Sequence, residues 1–269
     1  MAFAYLAEGA TSFAAANWSD ATGFDTAGAE LIVSANTSQI TGGLDQTGNP
    51  IDTIRFLGGA PRLSGTMSIE FDAASALPPA FQWSGGGSGS FSFVGTPDCD
   101  NFLMSGSAQL RLVTGEIGSW IKVTGGTLVI EAGFTFGSGT VMSVEGGNVL
   151  IEASSGSDVL PEIIVSGGRV TTRRTITTIT GTGGQVMYDG PVSPTTVTLS
   201  GVAYMPLQNP GATIHQFGMG MITRHLAKPS TVTTYNVRAG LPAPTSALLT
   251  ITTRNEFGSA NVQSGPPLF

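Results

Sequence analysis

Apolar residues in this chain recur at every second position in short runs, and glycine punctuates the runs. From residue 123 onward one pattern returns. It reads Val123-Thr-Gly-Gly-Thr-Leu-Val-Ile-Glu-Ala132, then Val144-Glu-Gly-Gly-Asn-Val-Leu-Ile-Glu-Ala153, then Val165-Ser-Gly-Gly-Arg-Val-Thr-Thr-Arg173. Looser copies follow at Gly181-Thr-Gly-Gly-Gln-Val-Met-Tyr-Asp189 and Leu199-Ser-Gly-Val-Ala-Tyr204. Upstream, Leu63-Ser-Gly-Thr-Met-Ser-Ile69 and Leu103-Met-Ser-Gly-Ser-Ala-Gln-Leu110 look related, with a poorer copy near Gly86. With Gly65, Gly86, Gly106, Gly125, Gly146, Gly167, Gly183 and Gly201 as anchors, the steps are 21, 20, 19, 21, 21, 16 and 18. A period near 20 predicts a solenoid of stacked units.

The contents of one period select the kind of solenoid. Each holds β-branched runs of three to five residues, and the Gly-Gly pairs read as turns that need positive φ. No period has room for a crossover helix. The chain is therefore predicted to be all-β, a parallel β-helix of about 16–21 residues per coil in which each strand pairs with its equivalent one coil away. Two columns support this. Val123, Val144, Val165 and Leu199 stand two residues before their anchors; Leu128, Val149, Val170, Val186 and Tyr204 stand three after. The rival, a sandwich of hairpins, calls for Asn-Gly or Asp-Gly turns every 8–12 residues, and Asp189-Gly190 is the sole example of either.

The repeat predicts three segments: an irregular N-terminal cap over 1–60, the β-helix over 61–205, and a C-terminal β extension over 206–269. The cap contains Ala16-Asn-Trp-Ser19 and Gly42-Gly-Leu-Asp-Gln-Thr-Gly48. The extension contains strand-like pieces at Ser230–Val237 and Ala247–Thr253. It ends in Gly265-Pro-Pro-Leu-Phe269, an apolar tail suited to docking or oligomerisation.

Composition narrows the class. Gly (38), Ser (26) and Thr (33) make 97 of 269 residues, while charged residues make 11%, against about 25% in an ordinary domain. An apolar share of 41% excludes the disordered class, and this much Gly, Pro and Thr excludes a helical bundle. A net charge of −7 argues against nucleic-acid binding. The acids cluster early: residues 1–160 carry 15 acids and 4 bases, and 161–269 carry 3 acids and 7 bases. The start, Met1-Ala-Phe-Ala-Tyr-Leu-Ala-Glu8, lacks the basic region of a secretory signal, and no apolar run is long enough for a membrane span. A single cysteine, Cys99, excludes an internal disulfide framework.

Few residues suggest chemistry. Glu131 and Glu152 each lie six residues after an anchor, so they are expected to stand one strand spacing apart, about 4.8 Å. A separation near 5 Å suits a retaining glycosidase pair. The same position holds Arg173 and then Asp189 in later coils, so the column reads as an outward, charge-compensated ladder, with Arg173 the partner of Glu152. Asp98-Cys99-Asp100-Asn101 offers three oxygen side chains but not the spacing of a calcium loop, and reads as a turn. His215, His225, Gly218-Met-Gly-Met221 and Gly85-Gly-Gly-Ser-Gly89 match no ligand or phosphate-loop motif. No catalytic residue, cofactor or metal site is expected, and the chain reads as non-enzymatic.

In its Gly-Gly coils, Ala16-Asn-Trp-Ser19 and Gly43-Leu-Asp-Gln46, the chain resembles β-helical virion structural proteins of tailed bacteriophages, over roughly residues 15–205. That resemblance implies a right-handed coil, frequent trimers, and a role as a capsid cement or decoration protein or as a tailspike. Tailspikes are typically longer and carry a substrate groove. The reading is thus a decoration protein on the head, made in the host cytoplasm, bound to the major capsid protein and assembled as a homotrimer. The alternatives are a tail-associated, carbohydrate-binding spike or fibre and, behind it, a bacterial surface adhesin.

Overall fold

A computed structural model describes residues 2–20, 28–34, 36–41, 44–72, 79–94, 99–154, 156, 158–218, 220–242 and 244–258. Among these the paired strands all run parallel, and helix is limited to the 3₁₀ turns Ala15–Asn17 and Thr223–His225. The chain is a parallel β-helix, its stacking consistent with a right-handed coil.

Three sheets form its faces. Sheet A takes one strand from every coil. It begins with Ala2–Leu6, Ala29–Ser34, Thr53–Leu57, Phe81–Gly85 and Cys99–Gly106. It continues through the end of Gln109–Val123 to Val141–Val144, Val159–Val165, Thr175–Gly181, Thr196–Leu199, Thr213–Gln216, Ser230–Arg238 and Leu249–Phe257. Sheet B runs from Gln39–Ile40 to Ala203–Pro206. Sheet C is short. It is built from residues 66–70, 90–94, 114–117 and 133–136, the far halves of strands that bend at bulges out of sheet B.

Both apolar columns read from the sequence are present. In sheet A, Leu6, Val33, Phe56, Trp83, Met104, Val123, Val144, Val165, Gly181, Leu199, Gln216, Val237 and Glu256 face one another in turn. In sheet B, Leu110, Leu128, Val149, Val170, Val186 and Tyr204 do the same. Strands such as Val141–Val144 alternate half-buried and buried, the period-2 pattern of a one-sided sheet. The ladder also extends past residues 61–205. The N-terminal 60 residues and the C-terminal extension contribute coils of their own at both ends of the stack.

The corners explain the glycine pairs. A Cβ on Gly146 would lie 2.5 Å from the Thr124 carbonyl oxygen of the preceding coil, and Gly147 adopts φ +75°. The first glycine thus permits close approach of the coil before it, and the second a left-handed turn. Gly218 repeats the first role, its missing Cβ 2.2 Å from the Ser200 oxygen; this places Gly218 at a coil corner, while Met219 lies outside the described residues.

Two upstream anchors are misplaced. Leu63, before Gly65, pairs with Ile40 in sheet B instead of joining the sheet A column. The sheet A corner of that region is Gly85, which faces Gly106, in place of Gly86. The reason is coil length: Phe56 and Trp83 are partners 27 residues apart, because these coils include sheet C and longer connections.

The wider coils are filled by aromatic rings. Phe56 stacks on Trp83 at 4.1 Å and Phe81 on Phe102 at 4.8 Å. The narrower later coils hold Tyr188, Tyr204 and Tyr235, whose hydroxyls donate to the Val192 carbonyl, to the Pro210 carbonyl at 2.9 Å and to Gln216 Oε1.

The first and last described rungs differ. At the N-terminal end the chain turns back, and Asn17–Ser19 lies antiparallel along Ala2–Leu6. Trp18 pairs with Leu6; the Ser19 amide donates to the Tyr5 carbonyl and the Ala7 amide to that of Asn17, both at 2.8 Å. Ala10, Phe13 and Trp18 are buried beneath. At the other end Leu249–Phe257 pairs, among the described residues, with Ser230–Arg238.

Candidate functional site

The flank singled out in the sequence is an ionic ladder. Register carries Glu131, Glu152, Arg173 and Asp189 to one position in successive coils: the amides of Glu152, Arg173 and Asp189 donate to the carbonyls of Ile130, Ile151 and Thr172. Arg111 Nε donates to Glu131 Oε1 at 2.7 Å, and Arg173 Nη1 to Glu152 Oε2 at 3.2 Å. Asp189 Oδ1 accepts from Gln208 Nε2 at 3.0 Å, and Gln208 Oε1 accepts from Lys228 Nζ at 3.1 Å. On the neighbouring face Lys122 pairs with Glu145 at 2.7 Å. The two glutamates are adjacent, as the register requires, and each is held by its own arginine.

Beside the ladder lies the point where sheet C stops. Strand 133–136 pairs with 114–117 on one side. On its other side no strand pairs with it among the described residues, and the edge is covered by an ion pair. Arg174 Nη1 donates to the Phe134 carbonyl at 2.5 Å, and Nη2 to that of Glu131 at 2.9 Å. Nε donates to the Glu152 carbonyl at 3.3 Å. Asp158 takes the other half: Oδ1 accepts from the Phe136 amide at 3.2 Å and Oδ2 from Arg174 Nη1 at 2.8 Å. Donor and acceptor together stand in for the missing strand, so the edge leaves these backbone groups paired.

Arg174 is 1% exposed, and its Cζ lies 5.1 Å from the Phe136 ring centroid. Burial pulls its guanidinium below the ordinary arginine value, and Asp158 opposes the fall. A surface cleft of about 360 Å³ opens above, lined among others by Ser154, Asp158, Arg173, Arg174 and Asp189. A second groove of about 510 Å³ runs along sheet B beside Gln109, Arg111, Thr127 and Val129.

Arg173 is legible from the repeat, whereas Arg174 and Asp158 occupy no repeated position. A signal is present nonetheless: Val170, Thr172 and Arg174 share inward parity, and all three are buried. An arginine at an inward position needs buried acceptors.

The other singled-out residues do not converge. Asp98 lies outside the described residues. Cys99–Asn101 begins the strand Cys99–Gly106, in place of the turn that its composition suggests. Alternation points Cys99 into the core, its Sγ 3.6 Å from the Asn101 carbonyl, and leaves Asp100 half-buried on the other face. His215 is an outward residue of sheet A, with Nδ1 3.4 Å from Asn236 Nδ2. His225 sits in a 3₁₀ turn beside Arg224. Gly85 to Gly89 is a coil corner, with Gly89 packed against Leu63 and Phe91. Among the described residues no three of His, Cys, Asp and Glu come together as a metal cluster.

The molecule is thus defined as a β-solenoid with a cross-linked polar flank. No protein-family model, curated protein or solved structure matches the chain.

Proposed function

We propose that this chain is a non-enzymatic structural protein of a tailed-phage virion, a rod that lies against the major capsid protein and reinforces the head. The observation that supports this reading is the pre-paired flank. Arg111–Glu131 and Arg173–Glu152 neutralise one another across coils, and Lys122–Glu145 does the same on the neighbouring face. A laterally presented, hydroxyl-rich and locally neutral surface packs against a repeating array without unpaired charge at the contact. The parallel ladder supplies stiffness, since each coil is bonded along its length to the next. Quantitative mass spectrometry of purified particles tests the proposal. Copies in stoichiometric proportion to the major capsid protein support it; a few copies per particle place the chain in the tail.

A second reading, a carbohydrate-binding tail protein, is favoured by one observation, the polar cleft beside Asp158, Arg173 and Asp189. Carboxylates and guanidinium groups converging there suit a neutral, polyhydroxylated ligand. Retention of the chain on immobilised host polysaccharide, weakened by Asp189→Asn in the cleft, would favour this second reading, and no retention the first. Release of reducing ends that Glu131→Gln abolishes would replace the structural assignment with a catalytic one.

A further inference from the structure

We infer that two copies of this chain join end to end across a two-fold axis, by antiparallel pairing of residues 253–257, the second half of the strand Leu249–Phe257, with their counterparts in the second copy. The inference is independent of where in a virion the protein resides.

The first and last described rungs are asymmetric. The N-terminal edge of sheet A is covered in cis by an antiparallel segment, Asn17–Ser19, so this coil geometry accepts an antiparallel strand on a terminal rung. The C-terminal rung is longer and largely exposed, and its partner among the described residues is Ser230–Arg238 alone. Exposed strand edges are templates for strand addition.

Charge selects both the partner and the register. The inward columns of sheet A carry no charge before this last rung, their one polar member near it being the buried Gln216, which accepts from Tyr235; here Arg254 follows Tyr235 and Glu256 follows Val237. Arg254 and Glu256 pair with each other at 2.6 Å, with side chains 43% and 55% exposed. A parallel coil stacked on this rung would set its apolar inward residues against these charges. An antiparallel copy centred on Asn255 does the opposite. It sets Arg254 opposite Glu256 of the second copy and Glu256 opposite Arg254 of the second copy, with Asn255 facing its own equivalent. Centring on Arg254 or on Glu256 would oppose like charges, and a one-residue slip would exchange the faces. A sequence complementary to itself about one residue is what a two-fold contact requires. The outward face agrees. Phe217, 43% exposed, packs edge-on against Phe257 at 5.3 Å, and the same register lays Thr253 of the second copy over this apolar pair.

A contact of one short strand pair lies at the small end of specific interfaces, so the dimer is expected to dissociate on dilution. Sedimentation equilibrium of the full chain should show mass rising from one chain to two with concentration. Glu256→Arg should abolish the dimer, and Arg254→Glu combined with Glu256→Arg should restore it, because the exchange preserves complementarity. Cross-linking fixes the register independently. Cys99 is buried, so in Asn255→Cys the new thiol meets its twin at the axis within disulfide reach. Mild oxidation should give a covalent dimer much faster than in Thr250→Cys. A single-chain mass at all concentrations, as when residues 259–269 or another protein cover the edge, overturns the inference. So does a dimer unaffected by Glu256→Arg, or equal cross-linking of the two cysteine variants.

Discussion

Arg174 reaches 40 residues back along the chain to the carbonyl oxygen of Phe134, at 2.5 Å, from a side chain that is 1% exposed. Together with Asp158 it ends sheet C, and this contact carries the first prediction. Arg174→Met should destabilise the fold by about 3–5 kcal/mol, because it leaves Asp158 without its cation and strands the Glu131 and Phe134 carbonyls. Arg174→Lys should fall in between, since one ammonium cannot span the same acceptors. Chemical denaturation of the three proteins measures the order; equal midpoints would show that Arg174 does not close the sheet edge.

Its neighbour should matter less, and in a way that salt screens. Arg173 is 57% exposed at the side chain and pairs with Glu152 at 3.2 Å, an arrangement worth about 0.2–1 kcal/mol. Arg173→Glu adds repulsion along the column from Glu131 to Asp189, of similar size. The total loss should be about 1–2 kcal/mol and should shrink in high salt. Thermal melting at two ionic strengths is the check, and a salt-independent loss would contradict it.

The buried tyrosines predict an alkaline limit. Burial pushes the Tyr188 and Tyr235 phenols up to about 12, and Tyr204 well above its ordinary value. The folded values exceed the unfolded value of about 10, so the neutral phenols contribute fully below pH 10. That contribution is lost as pH rises from 10 through 12, by about 2 kcal/mol for each of Tyr188 and Tyr235 at pH 12. Denaturation between pH 9 and 12 should show the decline, and Tyr188→Phe should flatten it.

Gly181 interrupts the sheet A column between Val165 and Leu199. By repeat logic a valine belongs there, yet a Cβ would lie 2.1 Å from Val202 Cγ1, because Val202 fills the space from the next corner. Gly181→Ala should therefore cost about 1–3 kcal/mol through overpacking. Adding Val202→Ala should recover part of it, and a double-mutant cycle reads the coupling. Strict additivity would show that the two sites do not share the space.

Some of this was legible in the residues. The pair Gly146-Gly147 announces a corner, and Val144, Val149, Glu152 and Arg173 take their columns from their distance to such corners. These are local properties: a left-handed turn, a close backbone approach and period-2 alternation are each set within a few residues. The upstream coils are not legible in this way, because Gly65 resembles a corner glycine while Leu63 pairs in sheet B.

By itself, then, the sequence determined a parallel solenoid with glycine corners, two apolar columns and a compensated ladder through Glu152 and Arg173. Only the tertiary structure decided where sheet C stops, that Arg174 and Asp158 close it, and that Asn17–Ser19 covers the first rung while Arg254 and Glu256 put charge on the last described one. The physical reason is the length of the connections between strands. Loop closure costs little more for a long loop than for a short one, so coils of different lengths are tolerated. The partner of a given backbone group is then set by how the coils stack, and no short window of residues contains that information.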